Sequence, residues 1–156
     1  QTIKMHASVI EKSGKALVFL GESGTGKSTH SRLWQELVPG CSLLNDDEPL
    51  LQLMDDGSVR VYGAPWSGST PCYRNDWAEA AAFVHLYQSP ENRLTKLRGV
   101  QAYASLFQSA GIMRSDKENR ALAGDIIGEI LSKVPVYRLD NRPDREAVAL
   151  SRSLMK

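Results

Sequence analysis

Cysteine is nearly missing from this 156-residue chain, which holds only Cys41 and Cys72. Two thiols so far apart make neither a disulfide framework nor a metal-ligand cluster, and the expectation is a pair of reduced thiols in a cytoplasmic protein. Charge of one sign is missing too: 19 Lys and Arg stand against 18 Asp and Glu, a formal net charge of +1. That balance gives no electrostatic case for nucleic acid or a membrane surface as the main partner. No apolar run approaches the length of a membrane span, and no signal-peptide pattern opens the chain. Internal repeats and low-complexity tracts are absent.

What is present is ordinary for a globular protein: 42% hydrophobic and 24% charged residues, enough for a single domain over 1–156 with a real core. The first residue is Gln1 rather than Met, so the sequence is expected to be a fragment lacking an N-terminal segment.

The chemistry is concentrated in Gly21-Glu22-Ser23-Gly24-Thr25-Gly26-Lys27-Ser28, a complete G-x-x-x-x-G-K-[ST] loop. An apolar run, Ala16-Leu17-Val18-Phe19-Leu20, precedes it and reads as a strand; a helical pattern follows from Thr29 to residue 38. Strand, glycine loop, helix is the context that separates a phosphate-binding loop from a chance match. Glycines let the backbone curl close to a phosphate, with its N–H groups and those of the helix start aimed at the anion. Lys27 adds a mobile positive charge, and the Ser28 hydroxyl suits Mg²⁺. The ligand expected is a nucleotide or another polyphosphate, held by residues 21–29.

Around that loop the sequence predicts a strand over 2–10, a turn over 11–14 with Gly14 at positive φ, and a second strand over 15–20. The loop is thus entered from an antiparallel hairpin. A helix over 28–38 stops at Pro39-Gly40, and strands follow over 41–45, 49–54 and 59–62. Residues 63–75 form a Gly, Ser and Pro loop. The stretch 78–87 fits strand or helix, with Phe83-Val84-His85-Leu86-Tyr87 favouring strand. Residues 89–93 read as a turn, 97–107 and 117–131 as helices (Ser115 or Asp116 capping the second), 134–139 as a strand and 144–154 as a closing helix. The fold class is α/β: a P-loop core with a mixed sheet entered by the hairpin.

Asp46-Asp47 closes the strand over 41–45, about one helix and one strand beyond Lys27. A carboxylate at the end of a strand neighbouring the loop strand is where such enzymes hold Mg²⁺, and a second can take a proton from an attacking hydroxyl. A solvated acidic turn is the plainer alternative. His6, on the leading strand, could stand close to the loop; a packed or solvent-facing histidine is the plainer alternative.

In order, His6-Ala7-Ser8, the Gly-containing turn, residues 16–28 and Leu43-Leu44-Asn45-Asp46-Asp47 resemble the catalytic core of HPr kinase/phosphorylase, a family itself similar to phosphoenolpyruvate carboxykinases. The matching stretch covers roughly residues 5–50. The resemblance implies an ATP-dependent, Mg²⁺-dependent phosphotransferase whose fold is like the C-terminal domain of that kinase. Lys27 and the loop amides would hold the phosphates, with Ser28 and Asp47 assigned to the metal. Asp46 and Asp47 would divide the base and metal-assisting roles, and His6 would stand near the transferred phosphate. Ring-like assembly in that family leads to the expectation of a homo-oligomer. The family's acidic, glycine-rich second signature has no counterpart; Tyr62-Gly63-Ala64-Pro65-Trp66-Ser67-Gly68-Ser69-Thr70-Pro71 stands in its place. No oxaloacetate-binding arginine set is visible. Arg74 and Arg114 are further candidates for charge on the transferred group, although surface roles suit them as well. Trp34, Trp66 and Trp77 are expected to pack, with Trp66 the one to test for stacking; Cys72 has no adjacent base.

The expected activity is transfer of phosphate from Mg·ATP to a hydroxyl, chiefly a serine of a protein or peptide. Two alternatives remain: a nucleotide-binding regulatory module without efficient transfer, and a carboxykinase relative acting on a small carboxylic acid. No N-K-x-D segment supports a GTPase.

Overall fold

The computed structural model describes residues 2–22, 26–46, 49–63, 77–110 and 117–155. Its organising element is the loop-bearing strand, here β3 (Lys15–Leu20), whose residues from Ala16 onward are all buried. A strand buried on both faces reads as a continuous apolar run, which explains why Ala16-Leu17-Val18-Phe19-Leu20 does not alternate.

β3 forms the predicted hairpin with β2 (Ser8–Lys12), in register from Ser8 opposite Phe19 to Lys12 opposite Lys15. The turn is Ser13-Gly14, with φ of 55° and 82°. Two successive residues at positive φ match the twist of the flanking strands, which is why a glycine sits there.

The strand expected over 2–10 is in fact two. β1 (Thr2–Lys4) and β2 are separated at Met5–Ala7, and they lie near opposite ends of the sheet. Their order is β1-β5-β6-β7-β3-β2-β4, with β4 at Cys41–Asn45, β5 at Leu50–Leu53, β6 at Val59–Tyr62 and β7 at Trp77–Gln88. Met5 and Ala7 are both buried, so the apolar pattern runs straight through the break. β4 pairs with β2, not with β3; the Asp46-Asp47 strand is therefore one strand removed from the loop strand rather than its neighbour.

β7 is the long spine on the other side. It pairs parallel with β3, antiparallel with β6 near its start, and parallel with β9 (Val136–Asn141) near its end. β8 (Arg93–Leu97) pairs, among the described residues, with β9 alone. The sequence reading had no strand there, because the Arg-Leu-Thr-Lys-Leu segment is a largely exposed edge with little apolar signal. β9 begins two residues later than expected.

Helices cover both faces. α1 (Lys27–Leu37) and α4 (Arg145–Arg152) pack over Leu17, Phe19, Val84 and Leu86 through Trp34, Val38 and Val148. α2 (Gly99–Ser109) and α3 (Lys117–Leu131) pack over Ala16, Val18, Leu20 and Phe83 through Leu106, Ile127 and Ile130. Alternate residues of β3 thus feed alternate cores. Trp34 is fully buried as expected, but Trp77 is 46% exposed, with the Arg60 guanidinium 3.8 Å above its ring. Its place at the start of β7 leaves one face to solvent, and the cation covers part of it. No helix among the described residues is long and apolar enough to cross a membrane.

Candidate functional site

The C-terminal ends of β3 and β7 point the same way, and beyond them opens a cavity of about 910 Å³. Gly21, Glu22, Gly26, Lys27, Ser28 and Thr29 line it, together with His6 and Asp46. The two chemical groupings singled out in the sequence therefore share one space.

α1 begins at Gly26, which has φ of 95° and no side-chain cap. His30 N donates to Gly26 O at 2.8 Å, the first bond of the helix. A helix start is where backbone N–H groups suit an anion, and this one lines the cavity through Lys27, Ser28 and Thr29. Lys27 Nζ donates to Gly21 O at 2.6 Å, which draws the ammonium across the mouth of the loop.

Asp46 is tied to that helix directly. Ser28 Oγ donates to its carboxylate at 3.1 and 3.2 Å, and Ser8 Oγ donates to Oδ1 at 2.8 Å. Ser8 Oγ in turn lies 2.6 Å from Ser31 Oγ. Since the Ser8 proton goes to Asp46, Ser31 is the donor in that contact, and the protons run Ser31 to Ser8 to Asp46. Ser28 and Ser31 are three apart on α1 and so share a face. Ser8 and Ser31 are each only 1% exposed. The separation of β4 from β3 is thus no obstacle: β2, between them, supplies the bridging hydroxyl.

His6 sits in the break between β1 and β2, not within a strand, and its backbone N donates to Ser109 O at the end of α2 at 2.8 Å. That contact carries it to the cavity wall. Ser23, Gly24, Thr25, Asp47, Trp66, Cys72, Arg74, Arg114, Ser115 and Asp116 lie outside the described residues. Cys41 is half-buried, its Sγ against Trp34 O at 3.3 Å, and burial pushes its thiol up.

The sequence reading missed the far wall. His85, Gln88, Gln108 and Ser109 line the cavity from β7 and α2. His85 pairs with Leu20 across the parallel strands, one residue before the loop. Burial, then the positive charges of Arg138 and Lys27, hold its imidazole below the usual histidine range, with Glu22 opposing. The signal was a histidine inside an otherwise apolar strand, where a polar ring needs a reason.

His30 points the other way. Its Nε2 lies 2.9 Å from Ser151 Oγ on α4, which also accepts from Trp34 Nε1 at 2.8 Å and donates to Val148 O at 3.2 Å. With the serine proton committed, Nε2 is the donor, and Nδ1 has no partner among the described residues. Burial lowers the His30 pKa to about 4. This histidine locks α1 to α4 and takes no part in the cavity.

Among the described residues no group of three His, Cys, Asp or Glu is gathered to cage a metal. Mg²⁺ is commonly held by one or two protein oxygens plus phosphate and water. Ser28 Oγ and the Asp46 carboxylate, already in contact, are the pair of oxygens here that could hold such an ion.

No family model matches the chain, and no curated protein matches it. Among solved structures it is similar to the Hpr(Ser) kinase/phosphatase from Coxiella burnetii, with a TM-score of 0.54 at 13% sequence identity, over 97% of this chain and 87% of that one. At that identity the likeness speaks to architecture: the chain has a distantly HPr-kinase-like mixed α/β fold.

Proposed function

We propose that the protein is a Mg·ATP-dependent phosphotransferase acting on a hydroxyl, with a serine of a protein or peptide as acceptor. The observation that carries this reading is the contact of Ser28 with Asp46 beside Lys27, in one cavity with His6. The kinase/phosphatase named for the structural neighbour supports the same direction.

The start of α1 and Lys27 would bind and orient the phosphates. Ser28 and Asp46 would hold the metal ion, which when bound screens the charge on the phosphate oxygens. Asp46 already accepts two hydroxyl bonds, from Ser28 and Ser8, which favours reading it on the metal side. Asp47 is then the general base. The acceptor oxygen forms a bond to the terminal phosphorus while the bond from phosphorus to the bridging oxygen breaks. The bond pair leaves with ADP, and the hydroxyl proton passes to the Asp47 carboxylate.

The test uses the purified chain, Mg²⁺, γ-labelled ATP and a serine peptide library. Asp47→Asn is expected to keep nucleotide affinity and lose transfer by roughly 10²–10⁴-fold, the usual worth of a general base. Asp46→Asn is expected to lose metal-dependent nucleotide affinity as well. Transfer left intact in both variants overturns the reading. ATP bound tightly but unchanged over hours favours the regulatory module instead.

A further inference from the structure

His85 is gripped on two sides. Its Nδ1 lies 2.6 Å from Ser105 Oγ on α2, and its ring stacks on Tyr87 with centroids 4.7 Å apart and planes at 15°. Tyr87 is itself capped by the Arg138 guanidinium at 4.1 Å. Ser105 is 5% exposed, and its hydroxyl has no other acceptor among the described residues. A buried hydroxyl proton goes to the one acceptor within reach, so Ser105 donates to Nδ1. The ring proton then resides on Nε2. That nitrogen makes no hydrogen bond among the described residues, yet it is not among the sealed polar atoms that lack one. His85 lines the cavity, so Nε2 is the atom left for the cavity's occupant.

We propose that His85 is a ligand-contacting residue, a fixed neutral donor whose Nε2–H binds a phosphoryl oxygen on the wall opposite Asp46. The inference rests on the cavity's taking phosphates, the reading given above. An anionic oxygen is the partner indicated by position. Lys27 and His85 line the same cavity, so an anionic oxygen held between them would meet an ammonium and an N–H together. A neutral ring serves this better than a charged one, because it adds a donor without repelling Lys27. The stack and the Ser105 bond fix the ring before the ligand arrives.

The experiment is ring ¹⁵N NMR of the histidines in the unsubstituted chain, followed by titration with Mg·AMP-PNP, Mg·ADP and pyrophosphate. The expected result is the Nε2–H tautomer at His85 and a shift of its Nε2 resonance on saturation. A shift with Mg·AMP-PNP but not Mg·ADP assigns the contact to the terminal phosphate. A shift with pyrophosphate as well assigns it to a phosphoryl group whatever its source. His85→Phe, which keeps the stack and removes the donor, is expected to weaken Mg·AMP-PNP roughly tenfold or more, while His85→Gln, which keeps an N–H, loses less. The Nδ1–H tautomer overturns the proposal, as does a silent Nε2 with unchanged affinity in His85→Phe. Absence of Mg·AMP-PNP binding by the unsubstituted chain sinks the nucleotide reading, and this inference with it. Binding with a silent His85 sinks the inference alone.

Discussion

Ser8 shows how much one hydroxyl settles. It passes the Ser31 proton's bond on to Asp46 and so fixes where the carboxylate lies relative to Ser28. Ser8→Ala removes that bond and leaves the buried Ser31 hydroxyl without its acceptor. The expected cost is about 1–3 kcal/mol of stability, measured by urea denaturation, with transfer falling about tenfold. Ser31→Ala should cost less, and adding it to Ser8→Ala should cost little more, since both cut one chain. His30 supplies the residue-scale prediction for acid. Its folded pKa of about 4 lies below the ordinary 6.5, so as pH falls the unfolded chain takes up the proton first. Stability from this group is complete above pH 6.5 and is lost as pH falls from there to 4, by about 3 kcal/mol in all. His30→Gln does not titrate, and its stability curve should be flatter across that window. Neither role was legible in the sequence. Ser8 and Ser31 stand 23 positions apart, and nothing local marks a serine that hands its proton to a carboxylate.

At the scale of elements, legibility followed local signals. The β2–β3 hairpin, the run of β3, the start of α1 and its stop at Pro39-Gly40 each carry their own punctuation or period. The break at Met5–Ala7 does not, because both flanking side chains stay buried while the backbone changes partners. β8 was missed for the opposite reason: an edge strand needs few apolar residues. The turn offers a clean test. Gly14 has φ of 82°, and a Cβ there would meet nothing within 4 Å. Gly14→Ala should therefore cost about 1–2 kcal/mol through backbone strain alone, with no clash to relieve. Denaturation that matches the parent would show that the turn relaxes to another type.

Across the whole molecule, the sheet order is what the sequence withheld. The reading placed Asp46 on a neighbour of β3, whereas the fold interposes β2 and still brings the carboxylate to Ser28. Adjacency of strands distant in sequence has no local signature, so only the tertiary fold reveals it. The cavity draws walls from α1, β7 and α2 and from the segments just before β2, after β3 and after β4, so a ligand there would brace elements from both helical layers. Saturation with Mg·AMP-PNP at about 100 times its Kd should add about 2.7 kcal/mol, a rise in melting temperature of roughly 5–10 °C for a chain of this size. Asp46→Asn should shrink that rise; an equal rise in the variant would remove Asp46 from the metal side.

The break at Met5–Ala7 also bears on the order of assembly during synthesis. β2 finds β3 a few residues later, so that hairpin can close almost as soon as it leaves the ribosome. β1 comes out earlier yet must wait for β5, some fifty residues on, and His6 must wait for Ser109. β1, made before β2, is thus seated after it, and the wall of the cavity that carries His6 closes only when α2 has been synthesised.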